Sequence, residues 1–221
     1  MNELAKFKAN LISQKLISSG FLDQVEILKV AGQGEVFYSP YYRSLLETGV
    51  KRKTISILSN GTLFNETNWN WLKDKYETID VSISVDAATA ETYRKLRRGN
   101  FEVLLQNLRM LGKLRSEGKI KRLSLNFCMQ RANYQEIPAF VKLGHEIGVD
   151  EIFFQRMVNY GNQTKKQLQY SSMFINDEYF EYDLWKILQE VLKDPIVSSY
   201  LIKQQIEASD KKYRNVDEKS F

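Results

Sequence analysis

The side chains able to grip a ligand gather in a few short stretches: Gly32-Gln33-Gly34-Glu35, Ser59-Asn60-Gly61-Thr62, Ser82 to Asp86, and Arg94 to Arg98. The first offers backbone amides and one carboxylate, which suits an ammonium group or a ribose hydroxyl; it is equally a tight turn ending in a solvated glutamate. As a dinucleotide fingerprint it fails, because Phe37 stands where the third glycine of GxGxxG belongs and no helix opens directly after the loop. The second stretch supplies a side-chain amide and two hydroxyls, although Asn-Gly is a common turn dipeptide and by itself reads as a turn. In the third, Ser82, Ser84 and Asp86 alternate, so an extended chain puts them on one face. Such a face needs polar partners, and a ligand pocket supplies them more simply than a core does. Arg94, Lys95, Arg97 and Arg98 read as a solvated basic helix end that complements the helix dipole, with one of them available to clamp a carboxylate.

Other chemistry is excluded by what is scarce. One cysteine, Cys128, and one histidine, His145, cannot build a zinc ribbon, an intramolecular disulfide or a cluster held by several thiolates. Cys128 lies in a β-type run with Leu125 and Phe127 and reads as a small buried hydrophobe; His145 falls on a helix away from the strand ends and reads as structural. Neither GxSxG, HExxH nor GxxxxGK[ST] occurs, so hydrolase and NTPase readings have no motif to rest on.

The elements that must position these stretches follow a β/α rhythm. Leu4, Phe7, Leu11, Ile12 and Leu16 form a helical stripe over residues 3–19, with Gly20 as its C-cap. Strands are expected at Val25–Val30, Thr54–Leu58, Ile79–Val85, Ile120–Met129 and Glu151–Gln155. Between them Phe101–Ser116 is the best helix, closed by Gly118, while Thr89 caps another and Pro138 to Gly148 makes a third. Single helices between strands imply parallel pairing with right-handed crossovers, either as an open doubly wound sheet or as a full or partial barrel. After Gly161 the rhythm stops and the rest reads as helical: residues 176–193, then a second helix beyond Pro195 whose end frays from Asp210.

At 221 residues, 43% hydrophobic and 27% charged, the chain is long enough to bury a sizeable core. The net charge of +5 does not by itself call for nucleic acid, and the clusters Lys51-Arg52-Lys53, Lys119-Lys121-Arg122 and Lys211-Lys212-Arg214 read as solvated turns and tail. No apolar run approaches the roughly 20 residues that span a bilayer, and Met1 leads into alternating polar and apolar residues with no signal-peptide core. No membrane contact and a cytoplasmic location are therefore expected.

Taken in order, these loops resemble the radical S-adenosylmethionine enzymes, in particular the branch carrying SPASM-type auxiliary regions. Gly32-Gln33-Gly34-Glu35 with Tyr38-Ser39-Pro40-Tyr41-Tyr42-Arg43 is similar to the family's GGE motif and the residues after it; Ser59-Asn60-Gly61-Thr62-Leu63 is similar to its TNG-T-L loop. Val81 to Thr89, Glu91-Thr92-Tyr93 and Arg97-Arg98-Gly99 resemble its SIDA-T-ETY-RRG stretch, and Asn126 to Gln130, Asn133-Tyr134 and Gly148 to Phe154 continue the likeness. It spans residues 24–162. The resemblance implies an α/β fold: a partial (β/α) TIM-like barrel missing its first strand over residues 1–162, with a helical C-terminal extension over residues 163–221. It also implies S-adenosylmethionine across the strand ends. Gly32, Gly34 and Glu35 would hold the methionyl ammonium, Asn60 would lie in the neighbouring loop, Ser82 and Ser84 would meet the ribose or carboxylate, and Arg97 would meet the methionyl carboxylate.

The departure from the family is as informative. Members bind a 4Fe-4S cluster through CxxxCxxC ahead of the GGE motif, and this sequence has no cysteine before Cys128. The cluster is expected only in a complete form of the protein, supplied by a missing N-terminal segment or a cluster-bearing partner chain. Without it the chain has no electron donor to cleave the sulfonium, so no radical chemistry is expected of it alone. The alternative is a non-catalytic degenerate barrel that binds a nucleotide or a partner. A barrel without its first strand would also leave the edge of Val25–Val30 unpaired.

Overall fold

The computed structural model describes residues 3–31, 34–47, 53–158, 164–175 and 178–217. Along them run α1 (Glu3–Ser18), β1 (Ile27–Val30), α2 (Pro40–Glu47), β2 (Thr54–Ser59), α3 (Glu66–Leu72), β3 (Thr78–Ser84), α4 (Ala90–Arg97) and α5 (Phe101–Ser116). These are followed by β4 (Arg122–Met129), α6 (Ile137–Ile147), β5 (Glu151–Arg156), α7 (Lys165–Ser171), β6 (Phe174–Ile175), β7 (Tyr179–Phe180), α8 (Tyr182–Val191), β8 (Val197–Ser198) and α9 (Lys203–Asp217). They pack as two units, Met1–Ser84 with Val103–Leu123, and Val85–Glu102 with Ser124–Phe221. The boundary expected at residue 162 falls among residues 159–163, outside the described ones.

In the first unit β1, β2 and β3 are parallel and in register: Lys29 opposite Ser56 opposite Asp80, and Leu58 opposite Ser82. Side-chain alternation divides the sheet into two unlike faces. Val30, Ile55, Ile57, Ile79, Val81 and Ile83 form the buried face, which shares the core with Leu104, Leu108 and Leu111 of α5. Lys29, Ser56, Asp80, Ser82 and Ser84 lie on the other face, where none is fully buried. Gly118 takes φ +73 just after α5, as the helix-closing residue should.

α1 forms as the spacing predicts and Gly20 follows it at φ +68, but its stripe is not core: Phe7 is 65% exposed, Ile12 58% and Leu11 40%. Ile27 on β1 is also exposed, and among the described residues β1 pairs with β2 alone.

In the second unit β4 is parallel to β5 and β5 to β8. Phe127 anchors this core, 4.8 Å from the Phe140 ring and 5.7 Å from Phe154. Gly144 of α6 sits close enough to β5 that a Cβ there would lie 2.6 Å from Ile152 Cδ1, so a side chain at this position would have to displace Ile152.

The C-terminal region departs from the expected run of helix in three places. Tyr179 and Phe180 are extended and pair antiparallel with Phe174 and Ile175, so the helix begins at Tyr182; residues 176–177 lie outside the described ones. Val197 and Ser198 join β5 as β8, adding one more parallel strand beyond Gly161. The stretch expected to fray from Asp210 is helical to Asp217.

Candidate functional site

The loops after β1 and β2 are tied together by one carboxylate. Glu35 Oε1 accepts from Ser59 Oγ at 2.7 Å and from Phe37 N–H at 3.5 Å, and Oε2 accepts from Asn60 N–H at 2.9 Å. Ser59 Oγ in turn accepts from Gly61 N–H at 3.0 Å. Asn60 Oδ1 takes both the N–H and the hydroxyl of Thr62, at 2.9 and 2.7 Å, which closes an Asx-type turn. Glu35 is only half-buried, so its remaining lone pairs stay open to a donor from outside.

Gly61 makes this loop possible. It adopts φ +77, and a Cβ there would lie 2.7 Å from Leu104 Cδ1 and 2.8 Å from Ile83 Cγ2. Behind it Asn107, buried on α5, donates through Nδ2 to the carbonyls of Gly61 and Thr62 at 2.8 and 3.1 Å. Gly34 has φ +110, a conformation open to glycine, ahead of the Glu35 turn. Gly32 lies outside the described residues. Ser82 and Ser84 stand half-buried at the carboxyl end of β3, on the face away from the apolar core.

Asp86, expected to continue the alternation of Ser82 and Ser84, does not. β3 stops at Ser84, and Asp86 takes a left-handed φ of 64 outside the strand. Its carboxylate is 5% exposed as a residue, accepts from Cys128 N–H at 2.7 Å and pairs with Arg97 Nη2 at 2.5 Å. Burial raises the Asp86 carboxyl, against the lowering pull of Arg97 and the Cys128 N–H. Asn133 bridges the Asp86 and Cys128 carbonyls through Nδ2, both at 2.9 Å. Arg97 is therefore committed at one edge, while its Nε is buried with no acceptor among the described residues.

A neighbouring contact of the same unit escaped the sequence. Glu136 accepts from Ala88 N–H at 2.6 Å and from Thr89 N–H at 3.1 Å and hydroxyl at 2.6 Å, at the start of α4. Thr89 itself caps α4 through Thr92 N–H, as expected. Asn107 also went unnoticed, although a buried amide at positions 104, 107, 108 and 111 of an apolar stripe is the signal that could have found it.

Cys128 and His145 take the quiet parts expected of them. Burial pushes the Cys128 thiol up to about 12, with Asp86 adding to the rise. His145 Nε2 meets Asp194 Oδ2 at 2.8 Å on the surface. Among the described residues no group of three or more His, Cys, Asp or Glu is disposed to hold a metal ion. One protonated thiol does not fit a thiolate-bound iron-sulfur cluster, so these residues do not build that centre. The carboxylate, amide and strand-end hydroxyls do fit the amino-acid and ribose groups of S-adenosylmethionine. No helix among the described residues is long and apolar enough to cross a membrane.

No family model matches the sequence, and no curated protein matches it significantly. Solved structures do match. TYW1 with a lysine-pyruvate adduct bound aligns at a TM-score of 0.52 and 22% identity, over 82% of this chain and 62% of that one. SuiB of Streptococcus suis bound to S-adenosylmethionine aligns at 0.53 and 13%, over 82% and 39%. The anSMEcpe enzyme with S-adenosylmethionine and the Kp18Cys peptide aligns at 0.57 and 15%, over 87% and 58%. The fold is thus an α/β partial barrel, shared with these structures. The chain spans between about two fifths and three fifths of the length of these structures.

Proposed function

We propose that these 221 residues form the S-adenosylmethionine-binding part of an enzyme that carries out radical modification of its substrate. The observation that carries this reading is the Glu35 carboxylate, fixed by Ser59 and Asn60 at the carboxyl ends of β1 and β2 yet still open to a further donor. Its support is a fold matched over more than four fifths of the chain by structures solved with S-adenosylmethionine.

In this reading Glu35 takes the methionyl ammonium, and the Gly34 backbone lets the ligand approach closely. Ser82 and Ser84 exchange hydrogen bonds with the ribose or carboxylate, and the Asn60 loop keeps Glu35 aimed. S-adenosylmethionine supplies, when bound, a sulfonium-activated carbon; the residues here bind and orient it. The cluster thiolates of a SPASM-type enzyme come from polypeptide outside these residues, as a continuous segment or a separate chain in the same cytoplasmic compartment.

Calorimetry with S-adenosylmethionine tests the binding. Micromolar affinity that falls about 10- to 100-fold in Glu35→Ala is expected from the loss of one charge-assisted contact. Absence of heat at any ligand concentration would leave only a scaffold. For the cluster, an in-frame CxxxCxxC in the coding sequence just upstream supports the reading. A clean promoter there, with no cysteine-bearing partner co-purifying, would count against it.

A further inference from the structure

We infer that Asp80 is the anchor for a cationic group, an amine or a guanidinium, of the molecule this chain acts on. The inference rests on the proposed cofactor reading and adds the chemistry of a second ligand. Asp80 lies on the polar face of β3, two residues before Ser82 on the same side. At about 3.3 Å of rise per residue, that puts its Cα roughly 7 Å deeper along the strand than the serine assigned to the cofactor.

Asp80 Oδ1 is buried and, among the described residues, accepts no hydrogen bond. A buried carboxylate oxygen without a donor is costly, and native chains keep one where a ligand or water completes it. Sheet register puts Ser56 beside Asp80 and Lys29 beyond Ser56. Two strand spacings of about 4.8 Å separate Lys29 from Asp80, Lys29 is exposed, and no ion pair joins the two among the described residues. Among the described residues this face therefore presents one carboxylate, its Oδ1 without a donor, next to Ser56 and Ser82. Charge complementarity calls for a cation with several donors, which an ammonium or a guanidinium supplies and a hydroxyl or amide does not.

The test uses the full isotope-labelled chain and amide chemical shifts. N-acetyl-lysine N-methylamide and N-acetyl-arginine N-methylamide are titrated beside the ε-acetylated lysine derivative, which keeps the four-carbon stem without the charge. Saturable shifts at Ser56, Asp80 and Ser82 are expected with one or both cationic probes, the better of the two telling amine from guanidinium. The neutral probe should need at least about tenfold higher concentration. Asp80→Asn should lose the same factor and Asp80→Glu should regain part of it, each variant's spectrum reporting whether it is folded. Equal response to charged and neutral probes, or an Asp80→Asn chain that binds as well as the parent, overturns the inference. S-adenosylmethionine titrated into the same samples separates the two readings. Loss of cofactor binding with the cation site intact defeats only the cofactor assignment, and retained cofactor binding with no cation response defeats only this one.

Discussion

Ser59 and Glu35 are joined by a 2.7 Å hydrogen bond in which the serine hydroxyl donates to the carboxylate while accepting from Gly61 N–H. The serine is thus the hinge between the turn that carries Glu35 and the loop that follows β2. Both of its bonds lie in a region where it is itself 4% exposed, so neither is readily replaced by water. Ser59→Ala leaves the Gly61 N–H without its acceptor and frees one Glu35 oxygen. A stability loss of about 1–2 kcal/mol by urea unfolding is expected. Affinity for S-adenosylmethionine should fall several-fold, because Glu35 would no longer be held in one orientation.

Gly61→Ala meets two penalties at once. The φ of +77 costs an L side chain about 1–2 kcal/mol, and the new Cβ would press on Leu104 and Ile83 at 2.7 and 2.8 Å. The variant should unfold about 2–4 kcal/mol more readily. Adding Leu104→Ala should relieve only the part due to the leucine contact, leaving the backbone term and the Ile83 clash. A double variant as stable as the parent would show that the loop tolerates another backbone path.

The outline of the scaffold was legible in the sequence because its signals are local. Strand runs such as Thr54 to Leu58 and helix stops such as Gly118 and Gly148 are each decided by a few neighbouring residues. Glu35 and the Asn60-Gly61 loop stood out as well, each by itself only as a turn and as ligand-binding residues only through the family resemblance. What pairs them did not. Asn107 reaches back 46 positions to the Gly61 carbonyl, and Glu136 reaches 48 positions to Ala88. Such contacts are set by the tertiary fold, and no periodicity announces them. The alternation of Ser82, Ser84 and Asp86 misled for a related reason: it holds only while the chain stays extended, and the left-handed turn at Asp86 ends it. The two-residue strand Val197–Ser198 is too short to carry any pattern of its own.

Asp86 and Arg97 form a pair that should fail asymmetrically. Removing the cation with Arg97→Leu leaves a carboxylate buried beside the Cys128 and Asn133 groups. That should cost about 2–4 kcal/mol, with Arg97's own partial exposure keeping the figure below that of a fully enclosed pair. Asp86→Asn keeps a side chain tolerated at positive φ and the acceptor for Cys128 N–H, so Asp86→Asn with Arg97→Leu should be more stable than Arg97→Leu alone. A double-mutant cycle by chemical unfolding measures the difference; additive losses would mean that the ion pair contributes nothing of its own.

Glu136 gives the fold a dependence on acid. Burial works to raise its carboxyl, but the hydroxyls of Thr89 and Thr92 and the N–H groups of Ala88 and Thr89 outweigh that and hold it below the usual carboxylate range. A carboxyl whose folded pKa lies below its unfolded one contributes stability that is fully present above the unfolded value, near about 4.3, and is lost as pH falls through the folded value. Glu136→Gln removes the charge at the start of α4 while keeping one acceptor oxygen. At neutral pH the variant should be less stable by about 1 kcal/mol, as for loss of a helix cap. The gap should close once the pH has fallen through the folded value, where the parent carboxyl is itself neutral. Urea midpoints measured for both chains across that range check the sign directly: a gap that stays constant from neutral to acid pH would show that Glu136 acts by shape alone and not through its charge.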